Sequence, residues 1–463
     1  MRRPPALGPL LLAGVVVAGT LGATAALAAE SPSPGTSAEL GEPVSGLASA
    51  SMVPALPPLP NPSATVTREG VLRALAPALA DPALAPPIGL VVSDPATGDV
   101  VLDLAAGTPL VPASTVKLAT ATAVLESLGA GHRVSTTVVA PDPGTVVLVG
   151  GGDPLLTAEP QPELYGASLR QLAAVSAAEL KAAGSVEVAV AVDDSLFSPP
   201  TLGPGWEAED VDLCLVTPIS ALRVFQVEPA VECVPDVDPA VTAGRVFAGL
   251  LADYGISVVG DVARQEVGEA ARTLAAVESQ PAAALVEQML TDSDNVSAEM
   301  LGHLVGLAES GEASFAAGAR ATADILTGLG LPTAGLTLVD ASGLSVDDRM
   351  APATAVALLD AALGNQESAL WPIMSGLPVA GSTGTLADRF DTPETAAGRG
   401  DVRGKTGTLT GVSALSGQVV TADGQLLTFS IITNGADDIL AARQALDTAT
   451  SALAQCGCSG GAA

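Results

Sequence analysis

The feature that most constrains this fold is a spacing. Ser114-Thr115-Val116-Lys117, Ser293-Asp294-Asn295 and Lys405-Thr406-Gly407 are short polar strings set far apart, with 179 positions between Ser114 and Ser293 alone. The chain has only three lysines against sixteen arginines, and two of the three stand in these strings. A guanidinium keeps its proton at any ordinary pH, whereas a buried lysine amine can lose one. Keeping Lys at these positions points to chemistry there, and to a fold that returns three distant segments to one cleft. A single helical connection does not need 179 positions, so a further folded segment must be inserted between the first two strings.

The patterning fits that demand. A short helix over about Glu69 to Ala80 leads to the hairpin IGLVVSD and DVVLDLA, joined at Pro95-Ala96-Thr97-Gly98. Pro112-Ala113 then introduces a helix whose first turn holds Ser114 and Lys117. Within 133–272, the strands TVVLVGG, VEVAVAV and SVVGDVA alternate with helices over about Ala167 to Ala183 and Ala240 to Tyr254, enough for a small mixed α/β domain. A helix from about Pro281 to Leu290 breaks at Thr291 to Asn295, where capping residues cluster, and resumes through Leu304. Lys405 to about Leu409 reads as strand, followed by the alternating pair ALSGQVVT and LLTFSIIT and a closing helix over about Asp437 to Ala454. The expected order is therefore a first part over 66–132, the insertion over 133–272, a second part over 273–455 and a tail over 456–463.

Ahead of this body, Arg2 and Arg3 precede an apolar run from about Leu7 to Leu27 that ends in Ala26-Leu27-Ala28, which reads as an export signal over 1–28. An uncleaved anchor is the alternative, since the run is long enough to span. Residues 29–65 are Ser-, Pro- and Ala-rich and read as an extended tether. Both readings place the body outside the cytoplasm. Four cysteines suit that compartment, with Cys214 and Cys233 the expected bridge; Cys456 and Cys458 are left as a local ring, partners elsewhere or thiols. His132 and His303 are the only histidines, and neither has metal-ligand spacing, so no metal or cofactor is expected. His303 reads as a packed or surface side chain. A formal charge of −31 argues against nucleic-acid binding, and no specific protein partner is inferred.

A serine hydroxyl needs a base within reach to attack at neutral pH. Three residues apart at a helix start, Ser114 and Lys117 share a face, and a desolvated lysine next to other positive charge can serve as that base. The helix N-terminus would also bring backbone N–H groups toward a developing oxyanion.

The three strings, in this order, resemble the signature elements of penicillin-binding proteins and serine β-lactamases. Gly151-Gly152-Asp153-Pro154, Val192-Asp193-Asp194-Ser195, Asp340-Ala341-Ser342-Gly343-Leu344-Ser345 and Gly384-Thr385-Leu386-Ala387-Asp388-Arg389-Phe390 are similar to the class C low-molecular-mass penicillin-binding proteins, the D-alanyl-D-alanine carboxypeptidase/endopeptidase group. The resemblance implies an α+β fold with an antiparallel sheet flanked by helices and an inserted domain. It implies that Ser114 is acylated, Lys117 takes its proton, Ser293 relays it and Asn295 holds the substrate amide. Lys405, Thr406, Gly407 and Thr408 would line the place of the terminal carboxylate, with the amides of Ser114 and Thr408 as oxyanion hole and Asp294 structural. Peptidoglycan stem peptides and β-lactam inhibitors are the implied ligands.

The chain departs from the group in two places. Val346-Asp347-Asp348 follows Ser345 where a basic residue is common, with Arg349 displaced, and the insertion is short. Asp153 is read either as facing the stem peptide or as part of a turn. A serine β-lactamase is the competing enzyme, although Glu309, Glu312, Glu367 and Glu394 lack the setting of a deacylating base. A silent cell-wall binding module is the non-enzymatic alternative, and the absence of a Gly-x-Ser-x-Gly elbow speaks against a histidine-based hydrolase.

Overall fold

A computed structural model describes residues 65–84, 86–161, 166–207, 209–226, 233–268, 271–364 and 369–458. The export-signal reading, the tether up to residue 64 and Glu367 lie outside the described residues. The chain enters through α1 (Arg68–Leu79), capped by the Thr67 hydroxyl, which accepts from the Gly70 amide. It then forms the hairpin β1 (Ile88–Asp94) and β2 (Asp99–Leu104) and reaches a 3-10 turn, Ala113–Val116, that runs into α2 (Lys117–Ser127). The inserted part holds β3 (Ser135–Asp142), β4 (Thr145–Val149), α3 (Leu169–Ala182), β5 (Glu187–Asp193), α4 (Glu209–Asp212), α5 (Pro239–Asp253), β6 (Ser257–Val258), β7 (Ala263–Arg264) and β8 (Arg272–Glu278). The chain returns through α6 (Ala282–Asp292), α7 (Asn295–Ser310), α8 (Phe315–Gly328), α9 (Pro352–Leu363) and α10 (Trp371–Ser375). It closes with β9 (Val402–Leu409), β10 (Val412–Val420), β11 (Leu426–Asn434) and α11 (Ile439–Ala454).

Both ends of the chain build one antiparallel sheet, in the order β2-β1-β11-β10-β9, with Ile88 of β1 opposite Thr433 of β11. Alternation along the strands decides its faces. Leu90 and Val92 of β1 join Leu415, Phe429 and Ile431 against Val71 and Leu75 of α1 and Leu446 and Leu453 of α11. Val91 points the other way, toward Val356 of α9, as do Ala414 and Ile432, which meet Leu110. Beyond that second face lies a helical layer whose core combines Leu118 and Val124 of α2, Val286 and Met289 of α6, Leu301 and Val305 of α7, and Leu358 and Leu359 of α9. From Lys117 to Leu125 every residue of α2 is buried, which the small side chains of KLATATAVL permit.

The insertion carries its own sheet, ordered β6-β5-β4-β3-β8, with β7 also paired to β5. The mix of directions follows from the connections: β3 pairs antiparallel with β4 and β8, while β5 lies parallel to β4 after the α3 crossover and parallel to β6 after α5. Leu172, Phe247 and Leu251 from the two helices cover Val138, Leu148 and Val190.

Four sequence expectations change. SVVGDVA is two short strands separated by a turn at Gly260, where φ is +75° and glycine meets no steric penalty. The sheet of the insertion extends past 272 to Glu278, because Glu278 completes the pairing with Ser135 at the start of β3. Ser114 lies in a 3-10 turn before α2 rather than in its first turn. The start of the expected tail belongs to the body: Cys456 and Cys458 are joined by a disulfide, Cys458 is fully buried, and its carbonyl accepts from both the amide and hydroxyl of Thr67. Cys214 and Cys233 are also joined. Among the described residues no helix is long and apolar enough to cross a membrane.

Candidate active site

Ser114 is presented by a strained turn. Ala113 before it is fully buried with φ +49°, a conformation that costs an L-residue about 1–2 kcal/mol unless its surroundings hold it. Three neighbours hold it. The Thr115 hydroxyl donates to the Pro112 carbonyl at 2.7 Å. Gly343 lies so close that a Cβ there would stand 2.0 Å from the Ala113 carbonyl oxygen. On the other side a Cβ on Gly407 would come within 2.7 Å of the Pro112 carbonyl oxygen. The glycines of two sequence strings thus let a loop and β9 close on the serine turn.

Ser293 occupies the bend between α6 and α7 with φ +61°. Asp294 caps α7: its carboxylate accepts from the Val296 amide and the Ser297 hydroxyl and lies 3.6 Å from Arg223. Asn295 therefore starts α7 with its side chain turned to Lys117. The Lys117 amine is completely buried and has three uncharged partners: Ser114 Oγ at 3.0 Å, Asn295 Oδ1 at 2.7 Å and the Ser342 carbonyl at 2.7 Å. Burial lowers its pKa to about 8, against the opposing pull of Asp340, Glu299, Asp294 and Asp348.

Lys405 on β9 is equally buried, and its amine donates to Ser293 Oγ at 2.7 Å and to the Thr406 carbonyl at 2.9 Å. Burial first, and then repulsion from Lys117, hold its pKa well below the ordinary lysine value. The Thr406 hydroxyl meets that of Thr385 at 2.9 Å, and Thr408 is exposed further along the strand. Ser114, Lys117 and Asn295 thereby form one hydrogen-bonded set and Ser293 with Lys405 a second; the chain from Ser293 to Asn295 and the repulsion between the two lysines link them, and Gly407 abuts the serine turn. Chemically the site offers a hydroxyl, an amine able to be neutral near pH 8, a second hydroxyl on a second amine, and a strand edge.

The sequence matches the D-Ala-D-Ala carboxypeptidase 3 (S13) family over residues 71–237 and 225–454. The chain belongs to that family. It is 38% identical over 410 residues to a carboxypeptidase of Mycobacterium tuberculosis, covering 87% of each chain, and 33% identical over 445 residues to a D-alanyl-D-alanine carboxypeptidase of Actinomadura, covering 77% and 79%. In fold it is similar to the crystal structure of penicillin binding protein 4 from Haemophilus influenzae, with TM-score 0.65 and 21% identity over 82% of this chain and 98% of that one. The α+β fold is that of the penicillin-binding proteins, and the chain is an enzyme of the serine peptidase class.

Several participants were not read from the sequence. The Ser342 carbonyl and the Leu215 carbonyl, which accepts from Asn295 Nδ2 at 2.8 Å, are backbone atoms that no residue type announces. Glu299 is buried one turn after Asn295, and a lone acid inside the apolar run VSAEMLGHLVGL was the signal available. Asp153 is buried, with one oxygen accepting from the Leu155 amide, and burial pushes its pKa up to about 6. Arg349 turns back to the Val346 and Asp348 carbonyls within its own loop. His303 is packed between the rings of Phe197 and Phe315.

Proposed function

We propose that this protein hydrolyses D-alanyl-D-alanine ends or cross-links of peptidoglycan stem peptides through an acyl-enzyme at Ser114. The observation that carries this reading is the set of partners around Lys117: a buried amine 3.0 Å from a serine hydroxyl, with only neutral groups bound to it. Ser114 Oγ attacks the carbonyl between the two D-alanines as Lys117 takes its proton. Ser293, held on Lys405, relays a proton to the leaving amine, and Asn295 orients the peptide. Lys405, Thr406 and Thr408 receive the terminal carboxylate beside Gly407, and the amides of Ser114 and Thr408 stabilise the oxyanion. Water then releases the acyl group.

A β-lactam offers a reactive amide with a nearby carboxylate and would acylate the same serine. Action on peptidoglycan agrees with the export-signal reading of residues 1–28 and places the enzyme outside the cytoplasm. Two of the acids weighed as a lactamase base are engaged elsewhere, Glu309 accepting from Ser127 and Glu312 from Ser314, and neither is a partner of Lys117. Intact-mass spectrometry after incubation with a penicillin should show one adduct, on Ser114, absent from Ser114→Ala. No adduct, or one that survives that substitution, would overturn the reading. Cross-linked and uncross-linked muropeptides then divide endopeptidase from carboxypeptidase action.

A further inference from the structure

A neutral amine has two N–H donors and one lone pair, whereas Lys117 Nζ has three oxygen neighbours. When Asn295 Oδ1 and the Ser342 carbonyl take the two N–H groups, the lone pair is left facing the Ser114 hydroxyl. The base is thus aimed by its two carbonyl partners, and each of these must itself be held. Asn295 is held because its Nδ2 donates to the Leu215 carbonyl at 2.8 Å. The Ser342 carbonyl is backbone: the Gly343 amide of its own peptide donates to Asp340, and the Ala341–Ser342 peptide before it is held by a carboxylate from α7.

Glu299 lies four residues after Asn295, on the same face of the helix, and is 1% exposed. It accepts from the Ser342 amide at 2.8 Å and from the Ala341 amide with both oxygens at 3.1 Å. The Ala341 carbonyl is fixed from the other side by the Thr120 hydroxyl at 2.6 Å, and Thr120 lies one residue short of a full turn beyond Lys117 on α2. The 341–342 segment is therefore clamped between the two helices that carry the base and its amide partner. We propose that Glu299 is a positioning residue for acylation: by clamping the Ala341–Ser342 peptide it sets where the next carbonyl, that of Ser342, meets Lys117, and so directs the lysine lone pair at Ser114. The inference rests on the acyl-enzyme reading above and adds the element that orients its base.

The charged and titratable groups around this clamp come from every packed element: Lys117 on α2, Asp294 before α7, Glu299 and His303 on α7, Asp340 and Asp348 in the loop between α8 and α9, and Lys405 on β9. Asp340, tied to Trp206 Nε1 at 2.9 Å and to the Ser345 amide at 2.7 Å, accepts from the Gly343 amide of the Ser342–Gly343 peptide at 2.7 Å, and Glu299 is the acid on the Ala341 and Ser342 amides before it.

The experiment is the acylation rate of the full chain by a fluorescent penicillin across pH, for wild type, Glu299→Gln, Glu299→Asp and Thr120→Val, with thermal unfolding measured for each. Glu299→Gln should lower the alkaline plateau about 10- to 100-fold. It should also move the acid limb to lower pH: burial and then Asp340 raise the Glu299 pKa, so its charge develops within the limb, and the variant removes that charge and its pull on the Lys117 ammonium. Glu299→Asp keeps that charge but falls short of the amides, so the plateau drops while the limb stays. Thr120→Val, close to isosteric, should show a smaller loss with the limb unmoved, and it decides the matter if neither Glu299 variant folds. A folded Glu299→Gln with the wild-type plateau and limb, or with both Glu299 variants unfolded a Thr120→Val at the wild-type rate, overturns the proposal. Failure of the wild type itself to acylate would instead strike the acyl-enzyme reading.

Discussion

The two lysine pockets of this molecule are built alike and differ in charge. Lys117 and Lys405 are both fully buried, and each touches a serine hydroxyl of the site. Around Lys117 stand Asp340, Glu299, Asp294 and Asp348, whose field restores part of what burial removes and leaves its pKa at about 8. Lys405 has no such compensation, and the cation nearest in effect is Lys117, so it lies well below the usual range. The difference suits two tasks. A base must be neutral for part of the time near its working pH, whereas an amine that loses its proton readily in the empty site regains it when an anionic group arrives.

Substitutions that treat the two amines differently can break this comparison. The largest effect should come from Lys117→Arg, which keeps a charge but cannot give up its proton; acylation should fall by about 10²- to 10⁴-fold with the fold intact, read from adduct formation against time. Next is Lys405→Gln. Removing the amine proposed to receive the carboxylate should reduce cleavage of D-alanyl-D-alanine peptides by about 10- to 100-fold in kcat/KM. It should affect an ester analogue that lacks that carboxylate far less, and equal losses on both substrates would contradict the carboxylate role.

A smaller consequence concerns the turn rather than the amines. Gly343→Ala puts a methyl 2.0 Å from the Ala113 carbonyl at a residue with φ +76°, and should cost roughly 2–4 kcal/mol of stability, seen in denaturant unfolding. Smaller still in rate is Cys233→Ser. It frees one side of the segment whose Leu215 carbonyl holds Asn295, and should slow acylation by less than about tenfold.

What the sequence revealed follows from how each feature is encoded. The hairpin, β10, β11 and the last helix were readable because they carry full periods between turn residues, and the three strings because rare lysines stood in them. Strands β3 and β8 were harder, since STTVVAPD contains a proline and RTLAAVE has alanines that fit a helix as well. Helix α9, PATAVALLDAAL, is apolar nearly all round and shows no stripe, and α8, although amphipathic, is built largely of small residues. In the site, side chains were legible and backbone was not. Nothing in the letters places the Ser342 carbonyl on Lys117, or gives Ala113 a left-handed φ that turns the first helical residues into a 3-10 turn. Gly343 and Gly407 did carry a trace of that geometry, as the residues that allow close approach.

The scarcity of lysine makes the central claim directly measurable. In protein labelled only at lysine, NMR gives three side-chain signals, and Lys117→Arg assigns the one that matters. The account predicts that the Lys117 signal titrates at about 8 in the free enzyme, in parallel with the acid limb of the acylation rate. A Lys117 signal that stays charged up to the ordinary lysine pKa of about 10.4, with acylation already at its plateau near neutral pH, would contradict it.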